Sequence, residues 1–138
     1  MAKPFEMRVE LGKLREFARA TGSSNAEYLT GDTPPAPVTF PMVSAFWSGP
    51  ESFESPGDID LARVLHGGQE FVYPDGPPEA GTVLTGQMRL GDKTVKEGKR
   101  GGTMTIQDLV TEFTDPSGKL VAQSITTMVV TSKPTGAS

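Results

Sequence analysis

The hydrophobic pattern of the chain changes its period once, and this change restricts the fold more than any other feature of the sequence. Residues 40–47, FPMVSAFW, are apolar at every position except Ser44. After Leu61, apolar residues recur at every second position, as in the stretch TVLTGQMRL. An all-apolar stretch is typical of a helix buried on all sides, whereas a period of two is typical of half-buried β-strands. The pattern therefore predicts a central buried helix followed by a sheet.

The remaining elements can be placed from the same kind of pattern. FEMRVELGK predicts a lead-in strand, and the apolar residues of LGKLREFARATG share one face of a predicted helix that ends at Gly22. A connector rich in proline, TGDTPPAPV, cannot form a regular helix. Four β-rich runs then predict an antiparallel meander with a hairpin turn at DPSG. The alternation slips between Ile106 and Leu109, which predicts a β-bulge.

These elements fit one domain of the α+β class. A chain of 138 residues has the length of a single ordinary domain. We expect residues 1–133 to form it and residues 134–138 to be a flexible tail. An antiparallel sheet that wraps around one central apolar helix is the hot-dog fold, and this is the predicted architecture.

The composition argues against several classes of function. A formal net charge of −4 gives no field that would attract nucleic acid. The chain has no cysteine and one histidine, so a metal site is not expected. No stretch approaches the roughly 20 apolar residues of a membrane span, and the N-terminus lacks the apolar run of a signal peptide. We therefore expect a cytoplasmic protein without a membrane or nucleic-acid partner.

Five stretches of the sequence, taken in order, carry a family resemblance: KLREFARATG, PPAPVTFP, VLHGGQEFVY, GKRGGTMTIQDLVTEFTD and GKLVAQSITTMVV. Together they resemble the MaoC-like dehydratases, in the N-terminal or non-catalytic-half type. The resemblance implies a hot-dog fold that works on acyl thioesters of coenzyme A or acyl carrier protein. It also implies addition of water to a trans-2-enoyl group, or its removal from an (R)-3-hydroxyacyl group, and we expect no cofactor.

The catalytic residues of that family are replaced in this chain. Catalytic members carry Asp-x-Asn-Pro-x-His, and the resemblance places the Asp position on Ser23 and the His position on Tyr28, while Asn25 is retained. Hydration requires groups that move protons near neutral pH. An unassisted hydroxyl, or a phenol with a pKa near 10, is a poor base at pH 7. The catalytic Asp and His are therefore expected to come from a partner chain.

Other residues are candidates for substrate binding, each with a structural alternative. His66 and Gly67 lie where the backbone can approach a ligand, and Gln69 is a candidate orienting group, although all three also occur in non-catalytic halves of the family. Phe40 and Trp47 are candidates for the wall of an acyl tunnel or for plain core. The last two candidates, Lys99 and Arg100, could bind the phosphates of coenzyme A or an acidic carrier protein, or simply form a solvated hairpin tip.

The sequence leaves four functions open. The first is an accessory, acyl-thioester-binding subunit of a heteromeric hydratase or dehydratase, paired with a catalytic MaoC-like hot-dog subunit. The second is a self-sufficient homodimeric hydratase that uses His66 with a carboxylate such as Glu70 or Asp108. The third is a hot-dog thioesterase, although the apolar stretch lacks the carboxylate that such enzymes commonly carry there. The fourth is a non-catalytic acyl-coenzyme A-binding protein. The exposed edge of a single hot-dog sheet predicts pairing in every case.

Overall fold

The computed structural model describes residues 1–99 and 101–132, so Arg100 and the predicted tail at residues 134–138 lie outside the described residues. The described part contains two α-helices, five strands and three 3₁₀ helices. The α-helices are α1 (Leu11–Ala20) and α2 (Ala26–Thr30), and the 3₁₀ helices span Phe40–Phe46, Pro50–Ser52 and Leu61–Arg63. The strands are β1 (Phe5–Arg8), β2 (Val64–Val72), β3 (Val83–Glu97), β4 (Thr103–Thr114) and β5 (Leu120–Val130).

All five strands form one antiparallel sheet in the order β1-β3-β4-β5-β2. The predicted meander is correct for β3, β4 and β5, and the DPSG hairpin joins β4 to β5 as expected. It is wrong for β2, which does not pair with β3 but crosses to the far side of β5. The reason is that the short β1 takes the place beside β3. As a result, β2 is an edge strand of nine residues.

The sheet has an inner face that carries the core and an outer face turned away from it. Cross-strand partners share a face, and faces alternate along a strand. Phe113 pairs with Ala122, and both belong to the buried core, so they define the inner face. Asp108 is an odd number of residues from Phe113 along β4, and its partner Thr127 is an odd number of residues from Ala122 along β5. Both therefore lie on the outer face.

The core forms where α1 and the 40–46 helix pack on the inner face. Leu14 from α1 and Phe40 from the 40–46 helix are fully buried among inner-face side chains. Two edge-to-face aromatic contacts, Phe5 with Phe113 and Phe17 with Phe40, have ring centroids 6.2 and 5.6 Å apart. The buried core cluster comprises Met7, Val9, Leu14, Ala36, Phe40, Val43, Leu84, Phe113 and Ala122.

The apolar stretch does not form a helix buried on all sides, and that prediction is wrong. It forms the 40–46 helix, of 3₁₀ type, in which Phe40, Pro41 and Val43 are buried while the C-terminal end leaves the core. Phe40 is 0% exposed, whereas Phe46 is 84% exposed. An apolar composition predicts removal from water, but it does not say whether the covering surface belongs to the same chain. The hot-dog architecture itself is confirmed, because the curled sheet holds the first turn of this helix in its core.

The predicted bulge was assigned to the wrong strand. In β4 the residues from Ile106 to Leu109 pair in regular register with β5. The irregularity lies opposite them in β3, between Leu90 and Lys93. The amide of the buried Gln107 donates to the carbonyl of Gly91 at 2.9 Å within this irregularity. The polar Gln107 at an inner position of β4 therefore produced the apparent slip in the hydrophobic alternation. Its amide is placed there because it hydrogen-bonds to the irregular backbone of the neighbouring strand β3.

Candidate functional site

The segment that corresponds to the family's catalytic motif is held by local hydrogen bonds. Asn25 is the N-cap of α2, and its Oδ1 accepts the backbone N–H of Glu27 at 3.0 Å. The Ser23 hydroxyl accepts the N–H of Asn25 at 3.3 Å. Tyr28 is half-buried against the core cluster. Asn25 therefore has a structural role that explains its presence without catalysis, and neither Ser23 nor Tyr28 is a carboxylic acid or an imidazole.

His66 lies on the edge strand β2, paired with the inner-face residue Met128, and its side chain is exposed. Among the described residues, no hydrogen bond or ion pair involves its imidazole. Glu70 pairs with Ile125 on the outer face, and Asp108 also lies there, where its carboxylate accepts the Thr127 hydroxyl at 2.7 Å. The two carboxylates proposed as partners of His66 are thus on the opposite side of the sheet.

The glycine pair after His66 forms a bulge in β2. The pairing register shifts between His66 and Gly68, which leaves Gly67 as the extra residue. A Cβ atom on Gly67 would meet Cγ2 of Val129 at 2.7 Å and the carbonyl oxygen of Thr127 at 3.3 Å. Close packing against β5 therefore accounts for Gly67. The bulge also places both His66 and Gln69 on the inner face, although they are three residues apart.

Gln69 is the centre of a polar row on the inner face. Its amide Nε2 donates to the Ser124 hydroxyl at 2.8 Å, and its Oε1 accepts the Thr126 hydroxyl at 2.8 Å. Ser124 is 7% exposed, and Gln69 and Thr126 are partly buried. Sequence reasoning found Gln69 but missed its two partners. The signal was the period of two in β5, which places Ser124 and Thr126 between Ala122 and Met128 on the face expected to be apolar.

The two aromatic candidates of the 40–46 helix occupy different environments. Phe40 is enclosed in the core, and Trp47 ends the helix with 38% of its surface exposed. A groove of about 290 Å³ runs between α1 and this helix. Its lining residues are Lys13, Glu16, Phe17, Ala20, Met42, Val43 and Phe46. On the 40–46 helix, the surface of this groove is thus formed by Met42, Val43 and Phe46 and not by Phe40.

The lysines near the β3–β4 hairpin do not form a single cluster. Lys93 pairs with the inner-face residue Gln107, whereas Lys96 pairs with Met104 on the outer face. Lys99 is exposed in the turn that follows β3. Lys93 is thus the only one of these three lysines that borders the inner face.

Tyr73 anchors the connector that precedes the 40–46 helix. Its hydroxyl donates to the carbonyl oxygen of Val38, and its ring packs against the core cluster. Burial raises the pKa of the Tyr73 phenol to about 12. The phenol therefore keeps its proton at neutral pH and acts as a structural donor. Sequence reasoning missed this contact, because nothing local joins residues 38 and 73.

Two features are absent from the described residues, namely a cluster of metal ligands and a membrane-spanning helix. No three side chains of the His, Cys, Asp and Glu types come together as metal ligands would within this part of the chain. None of its helices has the length and apolar character needed to cross a membrane.

Known proteins match this chain in sequence over most of its length. The family described as FAS1-like, dehydratase domain region, matches residues 1–124. The chain belongs to this family. Among its relatives, a UPF0336 protein of Clavibacter michiganensis is 32% identical over 127 residues, which cover 86% of this chain and 81% of the relative. The expected resemblance to MaoC-like dehydratases is confirmed at the level of the family.

Solved structures agree with the fold of this FAS1-like dehydratase-region chain. One is the C-terminally truncated HadBC complex of Mycobacterium tuberculosis, described as a 3R-hydroxyacyl-ACP dehydratase, with a TM-score of 0.64, 22% identity, and coverage of 92% of this chain and 94% of the matched chain. Another is a MaoC-like dehydratase of Phytophthora capsici, with a TM-score of 0.69 and 20% identity. The match covers 96% of this chain but 46% of that one, so this chain is similar to about half of it.

Proposed function

We propose that this chain is the accessory, acyl-thioester-binding subunit of a heteromeric (R)-specific enoyl-thioester hydratase or 3-hydroxyacyl-thioester dehydratase. In this proposal a catalytic hot-dog partner supplies the Asp and the His. The HadBC complex is a heteromer with the same fold, and the Phytophthora capsici dehydratase is about twice as long as this chain, which supports a second hot-dog unit.

One observation carries the proposal, namely that no acid–base pair is assembled within the described residues. A general acid or base acts through a group within hydrogen-bond reach of the proton that it transfers. Ser23 and Tyr28 supply no such group at neutral pH. His66 is exposed at the sheet edge, and the sheet separates it from both Glu70 and Asp108. This arrangement disfavours a self-sufficient hydratase in which His66 works with Glu70 or Asp108 of the same chain.

The surface beside β2 supports a protein partner. An edge strand presents unpaired backbone groups, and a partner strand can pair with them. The stretch of sequence that precedes β2 and enters it exposes large apolar side chains, which we call the edge patch: Phe46, Trp47, Leu61 and Leu65. Phe46 and Leu61 are 84% and 83% exposed. Exposed apolar side chains of this size, in a chain that also has a free strand edge, are typical of a protein interface.

Activity measurements with and without a partner test the proposal. The partner is a hot-dog homologue from the same genome that carries the intact Asp-x-Asn-Pro-x-His motif, and the substrate is crotonyl-coenzyme A. The purified chain alone should show negligible hydration. The co-expressed pair should turn over at an ordinary enzymatic rate, roughly 1 to 1000 per second. Hydration by the chain alone, with no gain from the partner, would refute the proposal.

Mutation of the two histidines separates their roles. His66→Ala in this chain should leave kcat of the pair within about tenfold of the wild type, because the imidazole contacts no carboxylate. Removal of the partner's motif histidine should lower kcat by about 100-fold or more, as the loss of a general acid or base does. If His66→Ala instead abolishes turnover while the circular dichroism spectrum is unchanged, His66 is the base and the accessory role is wrong.

A further inference from the structure

The polar row on the inner face costs desolvation free energy, which apolar side chains at the same positions would not. Positions 122 and 113 at one end of the same face are apolar and fully buried. Further along, Gln69, Ser124 and Thr126 replace apolar side chains at three inner positions. Polar groups are desolvated on such a face, and they are retained where hydrogen bonds compensate. The row therefore changes the chemistry of the inner wall along its length.

Gln69 is held rigidly and still has hydrogen-bonding capacity. A glutamine amide offers two N–H donors and an oxygen with two lone pairs. Ser124 uses one donor and Thr126 uses one lone pair, each at 2.8 Å. The nearest acceptor for the second N–H is the Glu70 carbonyl at 3.5 Å, which is too long for a strong hydrogen bond. One donor and one acceptor thus remain on a side chain whose orientation is already fixed.

Along the inner face, apolar side chains are followed by the amide of Gln69 and then by the ammonium group of Lys93. One class of ligand carries complementary groups in the same order. The apolar end at Phe113 lies about 13 Å from the level of Leu109 and Gln69, by the rise of a strand. Lys93, beside Gln107, lies about 7 Å further in the same direction. An acyl thioester on a pantetheine arm presents an apolar acyl chain, then amides, then a phosphate. The amides carry the N–H and C=O pair that complements a glutamine side chain.

We propose that Gln69 binds an amide of the pantetheine arm, with Ser124 and Thr126 as positioning residues. This assignment rests on the proposed acyl-thioester-binding function. It defines which part of the substrate this chain recognises, namely the carrier arm shared by coenzyme A and acyl carrier protein. Pre-orientation by Ser124 and Thr126 lowers the entropy that Gln69 would lose on binding.

NMR titrations that measure the binding of four probes to this chain test the assignment. S-methyl thiobutyrate has no amide, S-butyryl-pantetheine has the arm alone, and butyryl-coenzyme A and butyryl-acyl carrier protein distinguish the two natural sources of the arm. Gln69→Leu should weaken binding of S-butyryl-pantetheine by about two- to tenfold, the value of one hydrogen bond, and leave S-methyl thiobutyrate unchanged. The matched control is Glu70→Gln, the next residue on the outer face, which should leave all four affinities unchanged.

Positioning is tested separately with Thr126→Val, which keeps the Gln69 amide but removes one of its anchors. It should weaken the two amide-bearing small molecules and leave S-methyl thiobutyrate unaffected, whereas a merely structural role would change all ligands equally. Thioester binding that does not depend on Gln69 would overturn this assignment alone. Failure of the wild type to bind any of the four probes would overturn the acyl-thioester-binding function together with it.

Discussion

The two turns of the 40–46 helix should respond differently to truncation, and the pair Phe40→Ala and Phe46→Ala tests this. Phe40 is fully buried and makes an edge-to-face contact with Phe17. Truncation of a buried phenylalanine costs about 3 to 5 kcal/mol of unfolding free energy. At roughly 3 °C per kcal/mol for a domain of this size, Tm should fall by about 10 to 15 °C.

Phe46 is mostly exposed, so its truncation removes little buried area in the isolated chain. The free energy of unfolding should change by less than about 0.5 kcal/mol. In the complex with a catalytic partner, however, an apolar anchor of the edge patch should contribute more than about 1 kcal/mol, which is roughly a fivefold change in Kd.

Urea unfolding monitored by circular dichroism measures the first effect, and calorimetric titration of the partner measures the second. Leu61→Ala, another truncation in the edge patch, serves as a second exposed variant. Equal destabilisation of the isolated chain by Phe40→Ala and Phe46→Ala would show that the whole helix is buried, and the description of its two turns would be wrong. Unchanged partner affinity for both exposed variants would remove the edge patch from the interface.

Three further outcomes are expected. Burial raises the Tyr73 pKa to about 12, so the folded state holds the phenolic proton more tightly than the unfolded chain does. The contribution of this proton to stability is complete below about pH 10 and is lost as the pH rises through about 12. An absorbance titration should show a late tyrosine phase that Tyr73→Phe removes. Gly67→Val should destabilise the chain by at least about 1 kcal/mol in urea unfolding, because its Cβ would overlap Val129. Asn25→Ala should cost about 1 kcal/mol through loss of the N-cap, whereas Asn25→Asp should be nearly neutral, and the same loss in both variants would contradict the capping role.

Local patterns in the sequence were sufficient for most of the elements but not for their arrangement. The period of two located the strands and the DPSG turn, because both depend on residues that are neighbours in the chain. The place of β2 beside β5 was not predictable in this way, since it depends on pairing between residues far apart in sequence. The same limit applies to the Tyr73 contact with Val38.

The candidate site was predictable to a different extent. The expected replacement of the family's catalytic Asp and His at Ser23 and Tyr28 rests on residue identity, because an unassisted hydroxyl or phenol is a poor base at neutral pH. The separation of His66 from Glu70 and Asp108 required the face of each residue. That assignment depends on the bulge at Gly67, which reverses the alternation expected for β2. The partners of Gln69 likewise became visible only once β2 and β5 were adjacent.

The position of β2 has a consequence for the order of events during synthesis. Its contact with β5 joins residues far apart in the chain, such as Gln69 and Ser124, which are separated by 55 positions. Proteins are made from the N-terminus, and contacts of this range form late in folding. If the proposed partner pairs at this edge, its binding surface does not form until β5 has left the ribosome. A nascent chain that ends before β5 should then fail to recruit the partner, so assembly of the proposed complex would act as a check that β5 has been made.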